Sequence, residues 1–355
     1  MKRKKLDFVS LLLFWYKQRG RNLPFRKTKD PYLIWLSEII LQQTQMSTGV
    51  VYYNKFKNKF PSLKSLSEAK EDNVIKLWEG LGYYNRVKNL HKTAKYIMNN
   101  LNGVFPNKQK ELIKLQGIGK YTASAIASIC FKEKTPAIDA NVFRVFSRVF
   151  GIKKDITLSS SYLIFYKKSL GLIKKTDAPG EYNQSLMDFG SLQCLPKKPL
   201  CKTCVLNNMC YAFLNDKQKF LPVKKRDVKK KTRFFYYFVI RNQNTLLIHK
   251  REKNDIWKKL YDFFLIEKNK PVKNINRVVK EVFLKKTTYS LGKISYKKTK
   301  LSHQIINVVF VEIKVKKVEN FNYIKRKHRM IGIREKNLLL YAKPKVINDY
   351  LEKIF

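Results

Sequence analysis

The sequence predicts a multidomain protein in which an all-α region is followed by an α+β region. The chain has 355 residues, and a single core seldom grows beyond about 250 to 300 residues. Apolar residues recur at helical spacings in the N-terminal part, whereas short β-branched and aromatic runs dominate the C-terminal part. The hydrophobic content of 44% is enough to build packed cores and excludes global disorder.

The chain is strongly basic, with 75 Lys and Arg residues, 26 Asp and Glu residues and a formal net charge of +49. Such a charge repels itself unless an anion is near, and the phosphate backbone of nucleic acid is the simplest such partner. The alternative is compositional, because AT-biased coding also produces abundant Lys, much of which can be solvated surface. The charge therefore indicates that the partner is a nucleic acid, and specific motifs are needed to support this interpretation.

The apolar run near the start, residues 8–16, is far shorter than the roughly 20 residues that a bilayer span needs. A signal peptide would need a small-residue cleavage site, but the basic stretch 17–21 follows instead. We therefore expect an amphipathic helix that ends at Gly20 and a reducing, cytoplasmic compartment. In such a compartment cysteines bind metal more often than they form disulfides.

Helical periodicity extends from Pro31 to about Tyr211 and is punctuated by Pro and Gly. The predicted helices are 32–53, 74–81, 86–101, 108–115, 121–131, 142–150 and 160–170.

The polar and basic stretch between Asn215 and Arg233 cannot bury itself and is predicted to be a linker. It separates an all-α region, residues 1–214, from an α+β region, residues 233–355, with the linker at 215–232. In the second region we expect strands at 234–240, 245–249, 261–267, 292–296 and 305–315, and helices at 275–286 and 346–355.

Four cysteines form the strongest chemical signal: Cys194, Cys201, Cys204 and Cys210, with six, two and five residues between successive members. Four thiolates this close indicate a tetrahedral zinc site or a cubane iron–sulfur cluster. Zinc ribbons usually have two C-x2-C pairs, and only one is present. The spacing resembles the [4Fe–4S] loop of the endonuclease III superfamily of DNA glycosylases, which implies that cofactor. The remaining Cys130 lies in an apolar helix and is predicted to pack in a core.

A Gly-x-Gly turn at Gly117 and Gly119 precedes Lys120 and a predicted helix. Such a turn lets backbone N–H groups approach a phosphate closely, and the helix dipole favours the anion. By itself the pattern fits an ordinary turn between helices equally well. Because it lies upstream of the cysteine loop, it resembles the helix-hairpin-helix motif of the same superfamily, which binds the DNA backbone without reading sequence.

A carboxylate interrupts an apolar helix in the segment that begins with Asp30 and Pro31, which suit a helix cap and first turn. Residues 33–41 are apolar except for Ser37 and Glu38. Desolvation should raise the pKa of Glu38 and equip it to donate a proton near neutral pH. A lone Glu in such a helix is more often a tolerated rim residue. The stretch, however, resembles the Leu-Ser-Glu-x-x-Leu-Gln-Gln-Thr signature of MutY-type adenine DNA glycosylases.

Asp139 precedes another apolar helix, where an Asp is commonly an N-cap. In the superfamily this position holds an essential Asp near the sugar C1′, and Ala140 stands where Gly is usual. Bifunctional members carry a Schiff-base Lys at the position of Tyr121 in this chain. We expect Lys120, one residue earlier, to point elsewhere, which favours a monofunctional enzyme over a bifunctional glycosylase and lyase.

The resemblance implies a six-helix barrel over about 30–136 and an iron–sulfur helical domain from 1–29 plus 137–214, followed by a Nudix-like domain. In the latter, 301–303 matches a Phe-Ser-His loop that recognises 8-oxoguanine, with Leu301 replacing the aromatic residue before Ser302 and His303. No Nudix catalytic box is present, so a nucleotide hydrolase lacks its metal ligands.

The function that the resemblance implies is removal of adenine opposite 8-oxoguanine or guanine from double-stranded DNA by a monomer. Glu38 would protonate the adenine, Asp139 would stabilise the sugar cation, and Tyr121 and Asn141 would orient them. The DNA-binding residues that it implies are Arg26, Gln43, Thr44, Leu81, Tyr83, Gly117, Gly119, Lys120, Ser302 and His303. A non-catalytic iron–sulfur DNA-binding protein is the alternative of another class, and it would be favoured if Glu38 or Asp139 were absent.

Overall fold

The computed structural model describes residues 7–225, 230–283, 288–301 and 303–354. The chain forms two compact units, the first made of Met1–Ala69 and Arg86–Arg226, the second of Lys70–Asn85 and Asp227–Phe355. No sequence pattern indicated that Lys70–Asn85 groups with the C-terminal part of the chain. The predicted domain boundaries remain a prediction.

The helices follow one another along the chain as α1 Phe8–Arg19, α2 Pro31–Leu41, α3 Met46–Lys59, α4 Leu63–Glu68, α5 Glu71–Leu77, α6 Asn85–Asn100, α7 Gln109–Leu112, α8 Lys120–Phe131, α9 Ala140–Phe150, α10 Ser159–Ile173, α11 Pro179–Leu192, α12 Tyr211–Leu214, α13 Ile275–Val282, α14 Val318–Lys327 and α15 Lys345–Leu351. The strands are β1 Lys231–Asn242, β2 Thr245–Lys250, β3 Tyr261–Asp262, β4 Phe264–Lys268, β5 Tyr289–Lys300, β6 Gln304–Val315 and β7 Ile331–Arg334.

The first unit contains no strand among its described residues, which confirms the all-α prediction. Its helix α1 begins after Asp7, whose side chain accepts hydrogen bonds from the N–H groups of Val9 and Ser10, and ends at Gly20 as expected. The apolar face of α1 packs against α9 and α11 in a core that includes Leu12 and Phe146.

The predicted helix 32–53 is wrong, because the structure has two helices, α2 and α3, separated at Gln42–Gln45. The guanidinium of Arg86 explains the break: its Nη1 donates to the carbonyl oxygens of Ile39 at 2.9 Å and Ile40 at 3.0 Å, which lack partners at a helix end. Gln43 adopts a left-handed backbone with φ of 55°. This ending depends on a residue far along the chain, and the apolar spacing did not reveal it.

The second unit contains a seven-stranded mixed sheet with strand order β3-β2-β1-β6-β5, in which β4 also pairs with β1 and β7 with β2. Strands β1 and β6 are parallel and the other pairs are antiparallel. One face, with Phe235 and Val308, packs against α15, and the other, with Tyr236 and Val311, packs against α13 and α14. The α+β prediction is confirmed, although the predicted strand 261–267 is in fact two strands.

Glu79 joins the segment Lys70–Asn85 to the rest of the second unit. Its Oε1 accepts hydrogen bonds from the backbone N–H of Lys343 at 2.7 Å and from Asn348 Nδ2 at 3.0 Å. The Lys343 side chain is itself buried, and its Nζ donates to the carbonyl oxygens of Leu338 at 2.6 Å and Tyr341 at 2.7 Å.

The predicted linker is not uniformly exposed. Leu221 is buried, its carbonyl accepts from Arg148 Nε at 3.0 Å, and the Val223 carbonyl accepts from the Ile156 N–H at 3.0 Å. This part of the stretch packs on the first unit, and β1 begins at Lys231.

Candidate active site

A cavity of about 260 Å³ in the first unit brings together Glu38 from α2, Tyr121 from the first turn of α8 and Asp139 at the start of α9. All three were predicted as catalytic residues, and Asn141, the fourth, also lines the cavity. The other lining residues are Arg21, Phe25, Arg26, Ile34, Ser37, Leu41, Thr44, Met46, Ile129, Gln184, Met187 and Ser191.

Glu38 is held by a helix whose start the sequence specifies well. The Asp30 carboxylate accepts from the Tyr32 N–H at 2.8 Å and Pro31 occupies the first turn, as predicted. Burial raises the pKa of Glu38 to about 7, although a hydrogen bond with Tyr121 and the charge of Arg26 oppose the rise. The carboxyl group can therefore hold a proton near neutral pH and release it.

Asp139 combines an N-cap with a place in the cavity. Its Oδ1 accepts from the Val142 N–H at 2.8 Å, and its Oδ2 accepts from Asn141 Nδ2 at 2.7 Å. Burial raises the pKa of Asp139, and these hydrogen bonds to its charged form oppose the rise. Asn141 is oriented in turn by Arg144 Nη2, which donates to its Oδ1 at 2.8 Å.

Tyr121 supplies a neutral hydroxyl to the cavity. Burial raises its pKa well above the ordinary value, so the phenol keeps its proton. The hydroxyl forms a hydrogen bond with Glu38 and also lies 3.4 Å from the sulfur of Met187. The ammonium group of Lys120 lies over the ring of Tyr162, 5.1 Å from its centroid. Lys120 does not line the cavity, as expected from the motif.

One wall of the cavity is built on a buried ion pair that the sequence did not reveal. Asp188 is fully buried on α11 and accepts from Arg21 Nε at 3.1 Å, from the Arg21 backbone N–H at 2.9 Å and from Arg26 Nη2 at 3.1 Å. Arg26 also donates from Nη1 to the hydroxyl of Tyr16 at 2.6 Å. The pairing fixes Arg21 and Arg26 at the cavity. Asp188 belongs to no recognisable motif, and only the packing of α11 shows its role.

The glycine turn has the geometry that its sequence predicts. Gly117 has a φ of +81°, and a Cβ there would lie 2.7 Å from Cβ of Asn89, so a larger residue would be strained and crowded. Gly119 precedes α8, and a Cβ at this position would meet open space. The first N–H groups of α8 therefore have an open approach for an anion.

The remaining predicted DNA contacts are distributed over both units. Thr44 lines the cavity, whereas Gln43 does not. Leu81 and Tyr83 belong to the second unit, where Tyr83 has a left-handed backbone and is 45% exposed.

Ser302 lies outside the described residues. His303 is exposed where β6 begins. Leu301 is partly buried and packs on the core face that α15 covers.

The four cysteines line a second cavity of the first unit. None of the four is in a disulfide, and N–H donors from Arg148 to Cys194 Sγ and from Leu206 to Cys204 Sγ lie at 3.4 Å. Across the described ranges, no three His, Cys, Asp or Glu side chains converge on a position for one metal ion. The set nevertheless fits a group with several thiolate corners, because the thiols face shared space and two receive N–H donors.

Cys130 is partly buried in α8, and burial raises the pKa of its thiol to about 12. Its helical position agrees with the expectation for a packing residue. Within the described residues, no helix is both long and apolar enough to cross a bilayer.

Comparison with known proteins identifies the family. Residues 36–165 match the HhH-GPD superfamily of base excision DNA repair proteins. The adenine DNA glycosylase of Buchnera aphidicola subsp. Acyrthosiphon pisum (strain APS) is 33% identical over 98% of this chain and 97% of its own. That of Buchnera aphidicola subsp. Baizongia pistaciae (strain Bp) is 39% identical over 73% of each. The structure of a thermostable thymine-DNA glycosylase is 28% identical and covers 59% of this chain and 95% of its own, with a TM-score of 0.54. By the extent of these matches, the chain belongs to the adenine DNA glycosylase family.

Proposed function

We propose that this protein hydrolyses the N-glycosidic bond of adenine that lies opposite 8-oxoguanine or guanine in duplex DNA, as a step of base excision repair. The observation that carries the proposal is a cavity in which Glu38, with its pKa raised to about 7, lies with Asp139 and Tyr121. A proton donor and a second carboxylate are the two groups that glycosidic cleavage uses.

The size of the cavity suits one base. Its volume of about 260 Å³ lies just below the 300 to 1,000 Å³ typical of small-molecule sites. An adenine within the helix stack cannot reach Glu38, so the nucleotide has to leave the stack, at a cost of a few kcal/mol. Apolar side chains such as Ile34, Leu41 and Met187 line the cavity and would contact the base.

The chemistry follows from the protonation states. Glu38 gives its proton to the adenine, at N7, so the base departs neutral rather than as an anion. Asp139, held by Val142 and Asn141, presents negative charge to the oxocarbenium-like sugar. The C1′–N9 bond breaks, water adds to C1′ and its proton goes to the Glu38 carboxylate, which leaves free adenine, an abasic site and a reprotonated Glu38. Tyr121 keeps its own proton and orients Glu38.

The geometry also supports hydrolysis without strand cleavage. A lyase needs an amine that attacks C1′. Tyr121 lines the cavity, and by the sequence resemblance it stands where bifunctional members have that amine. The nearby Lys120 ammonium lies over Tyr162 instead. We therefore propose a monofunctional enzyme.

Cys194, Cys201, Cys204 and Cys210 would hold a [4Fe–4S] cluster. The four thiolate bonds would fix the shape of a loop that contains little regular structure beyond two short 3-10 turns. Purified protein should be brown and contain about four iron atoms per chain. Cys201→Ser should lose the iron and DNA affinity together, while Cys130→Ser keeps both. One zinc ion per chain would overturn the cluster assignment.

The proposed DNA contacts divide by type. The N–H groups after Gly117 and Gly119 would bind a phosphate, and Arg26, Gln43 and Thr44 would contact the displaced nucleotide and its flanks. Leu81 and Tyr83 would contact the duplex, and Ser302 with His303 would distinguish 8-oxoguanine from guanine.

Glu38→Gln tests the proposed function directly. The variant keeps the shape of the side chain but removes the proton donor, so single-turnover excision from A:8-oxoguanine DNA should fall by several orders of magnitude while binding persists. Glu111→Gln, on an exposed surface, is the matched control and should be fully active. Substantial excision by Glu38→Gln would refute the acid assignment, and a wild-type protein that removes no adenine would refute the function.

A further inference from the structure

The hairpin formed by β5 and β6 carries an open patch on one face of the sheet. Strand β5 is at the edge of the sheet, and its register places Tyr296 beside Val309, Lys298 beside Asn307 and Lys300 beside Ile305. The patch, which we call the hairpin patch, consists of Phe234, Tyr296, Lys298, Lys300, Ile305 and Asn307.

The hairpin patch lies on the same face of the sheet that α13 and α14 cover farther along the strands. From Val309 onward this face packs against α13 and α14, but nearer the tip of the hairpin Ile305 and Asn307 are only partly buried. Tyr296 is 74% exposed and is the most exposed aromatic residue in the described part of the chain.

The hairpin patch is positively charged, because its two charged residues are both lysines. Lys298 and Lys300 are exposed, and no carboxylate of the described residues lies within ion-pair distance of either. Lys268, on β4 beside Phe234, is neutralised by Glu281 at 2.9 Å. On the opposite face of the same strand, Lys297 pairs with Asp349. The two faces of β5 therefore differ, with a neutralised lysine on one and two unneutralised lysines beside a tyrosine on the other.

We propose that the hairpin patch binds the phosphate backbone of duplex DNA. Alternate residues of a strand lie about 6.6 Å apart on one face, and the flexible stems let the ammonium groups of Lys298 and Lys300 contact separate phosphates. The hydroxyl of Tyr296 donates to a phosphate oxygen, as Tyr commonly does in DNA complexes. The patch flanks residues 301–303 along the chain, where we propose that the 8-oxoguanine is recognised. The DNA strand that the patch binds is therefore the one opposite the adenine, and this part of the inference rests on the proposed function.

The competing explanation is that these lysines only protect an edge strand from pairing with another chain, which is a common use of Lys. The two explanations differ in salt dependence. Each phosphate contact contributes about 0.9 to the slope of log affinity against log salt, whereas edge protection contributes nothing to it.

The test measures affinity of the full chain for an undamaged duplex over a range of salt concentrations. Lys298→Gln with Lys300→Gln should lower the slope by about 1.8 and weaken binding at 0.1 M salt by roughly ten- to sixtyfold. Tyr296→Phe should weaken binding about three- to tenfold without changing the slope, because the hydroxyl carries no charge. Lys293→Gln is the matched control, since Lys293 is exposed on the same strand but lies roughly 17 Å from Lys298 and about 23 Å from Lys300.

A double variant whose slope equals that of Lys293→Gln would overturn the proposal and leave edge protection as the role of the lysines. The same titrations on A:8-oxoguanine DNA in the Glu38→Gln background keep the two proposals separate. The patch variants should lose affinity equally for both duplexes. A chain with no preference for the lesion would contradict the proposed function, yet the salt slope would still report on the patch.

Discussion

Asp188 and Glu38 are both carboxylates withdrawn from water in the first unit, but their surroundings differ. Asp188 accepts hydrogen bonds from Arg21 and Arg26, which line the active-site cavity. Glu38 has a tyrosine hydroxyl as its hydrogen-bond partner, and burial raises its pKa to about 7. Direct cationic partners make a buried carboxylate structural, whereas a buried carboxyl group without them exchanges a proton near neutral pH.

Among the substitutions considered below, Asp139→Asn should reduce adenine excision most. Asp139→Asn preserves the cap on α9, because Asn is as good an N-cap as Asp, but it removes the charge that faces the sugar. Single-turnover excision should fall by a factor of about 1,000 or more, without a loss of stability. A large loss of stability in this variant would show that Asp139 is mainly a cap.

Asp188→Asn should instead lower the stability of the fold, which Asp139→Asn leaves intact. The substitution leaves Arg21 and Arg26 without a counter-charge, which typically costs about 3 to 5 kcal/mol of unfolding free energy. Denaturant unfolding would measure the loss. Asp177→Asn is the control, because Asp177 is fully exposed and its pair with Lys134 should not affect stability measurably. If the two variants were equally stable, the buried pair would not hold the cavity wall.

Glu38→Gln should stabilise the protein at alkaline pH. The pKa of Glu38 is raised from 4.5 to about 7 on folding, so the folded state binds the proton more tightly, and stability is lost as pH rises through that interval. A neutral Gln avoids this cost, and we expect a gain of about 1 to 2 kcal/mol at pH 8 after allowing for solvent at the cavity mouth, with no gain at pH 4. Unfolding curves at both pH values would check it. An equal difference at both would mean that ionisation of Glu38 is not the cause.

The smallest expected effect concerns the second unit. His303→Ala should reduce the preference for A:8-oxoguanine over A:G by roughly tenfold, the value of one lost hydrogen bond to the lesion. Competition between the two duplexes measures the ratio, and excision of A:G serves as the internal control. An unchanged ratio would leave the hairpin as a backbone-binding element only.

The sequence alone predicted the features that depend only on residues close together in the chain. Pro31 and Asp30 specify the start of α2, and the apolar run around Glu38 already implied a raised pKa. Gly117 and Gly119 predicted a turn before a helix, and the structure has that turn, with a positive φ at Gly117.

The features that the sequence did not reveal depend on distant partners. Arg86 on α6 binds the end of α2, and Asp188 contacts Arg21 across 167 positions. Glu79 joins the segment Lys70–Asn85 to residues near the C-terminus. Apolar spacing reports which face of an element is buried but does not identify what it is buried against, so these contacts required the structure.

The pH dependence of single-turnover excision by the wild-type protein, with the protein in saturating excess over the DNA, is the direct test of Glu38 as the proton donor. If Glu38 donates the proton, the rate should be level just below pH 7 and fall about tenfold per pH unit above it, because the donor is then deprotonated. A rate that stays constant or rises between pH 7 and pH 9 would contradict the assignment of Glu38 as the acid.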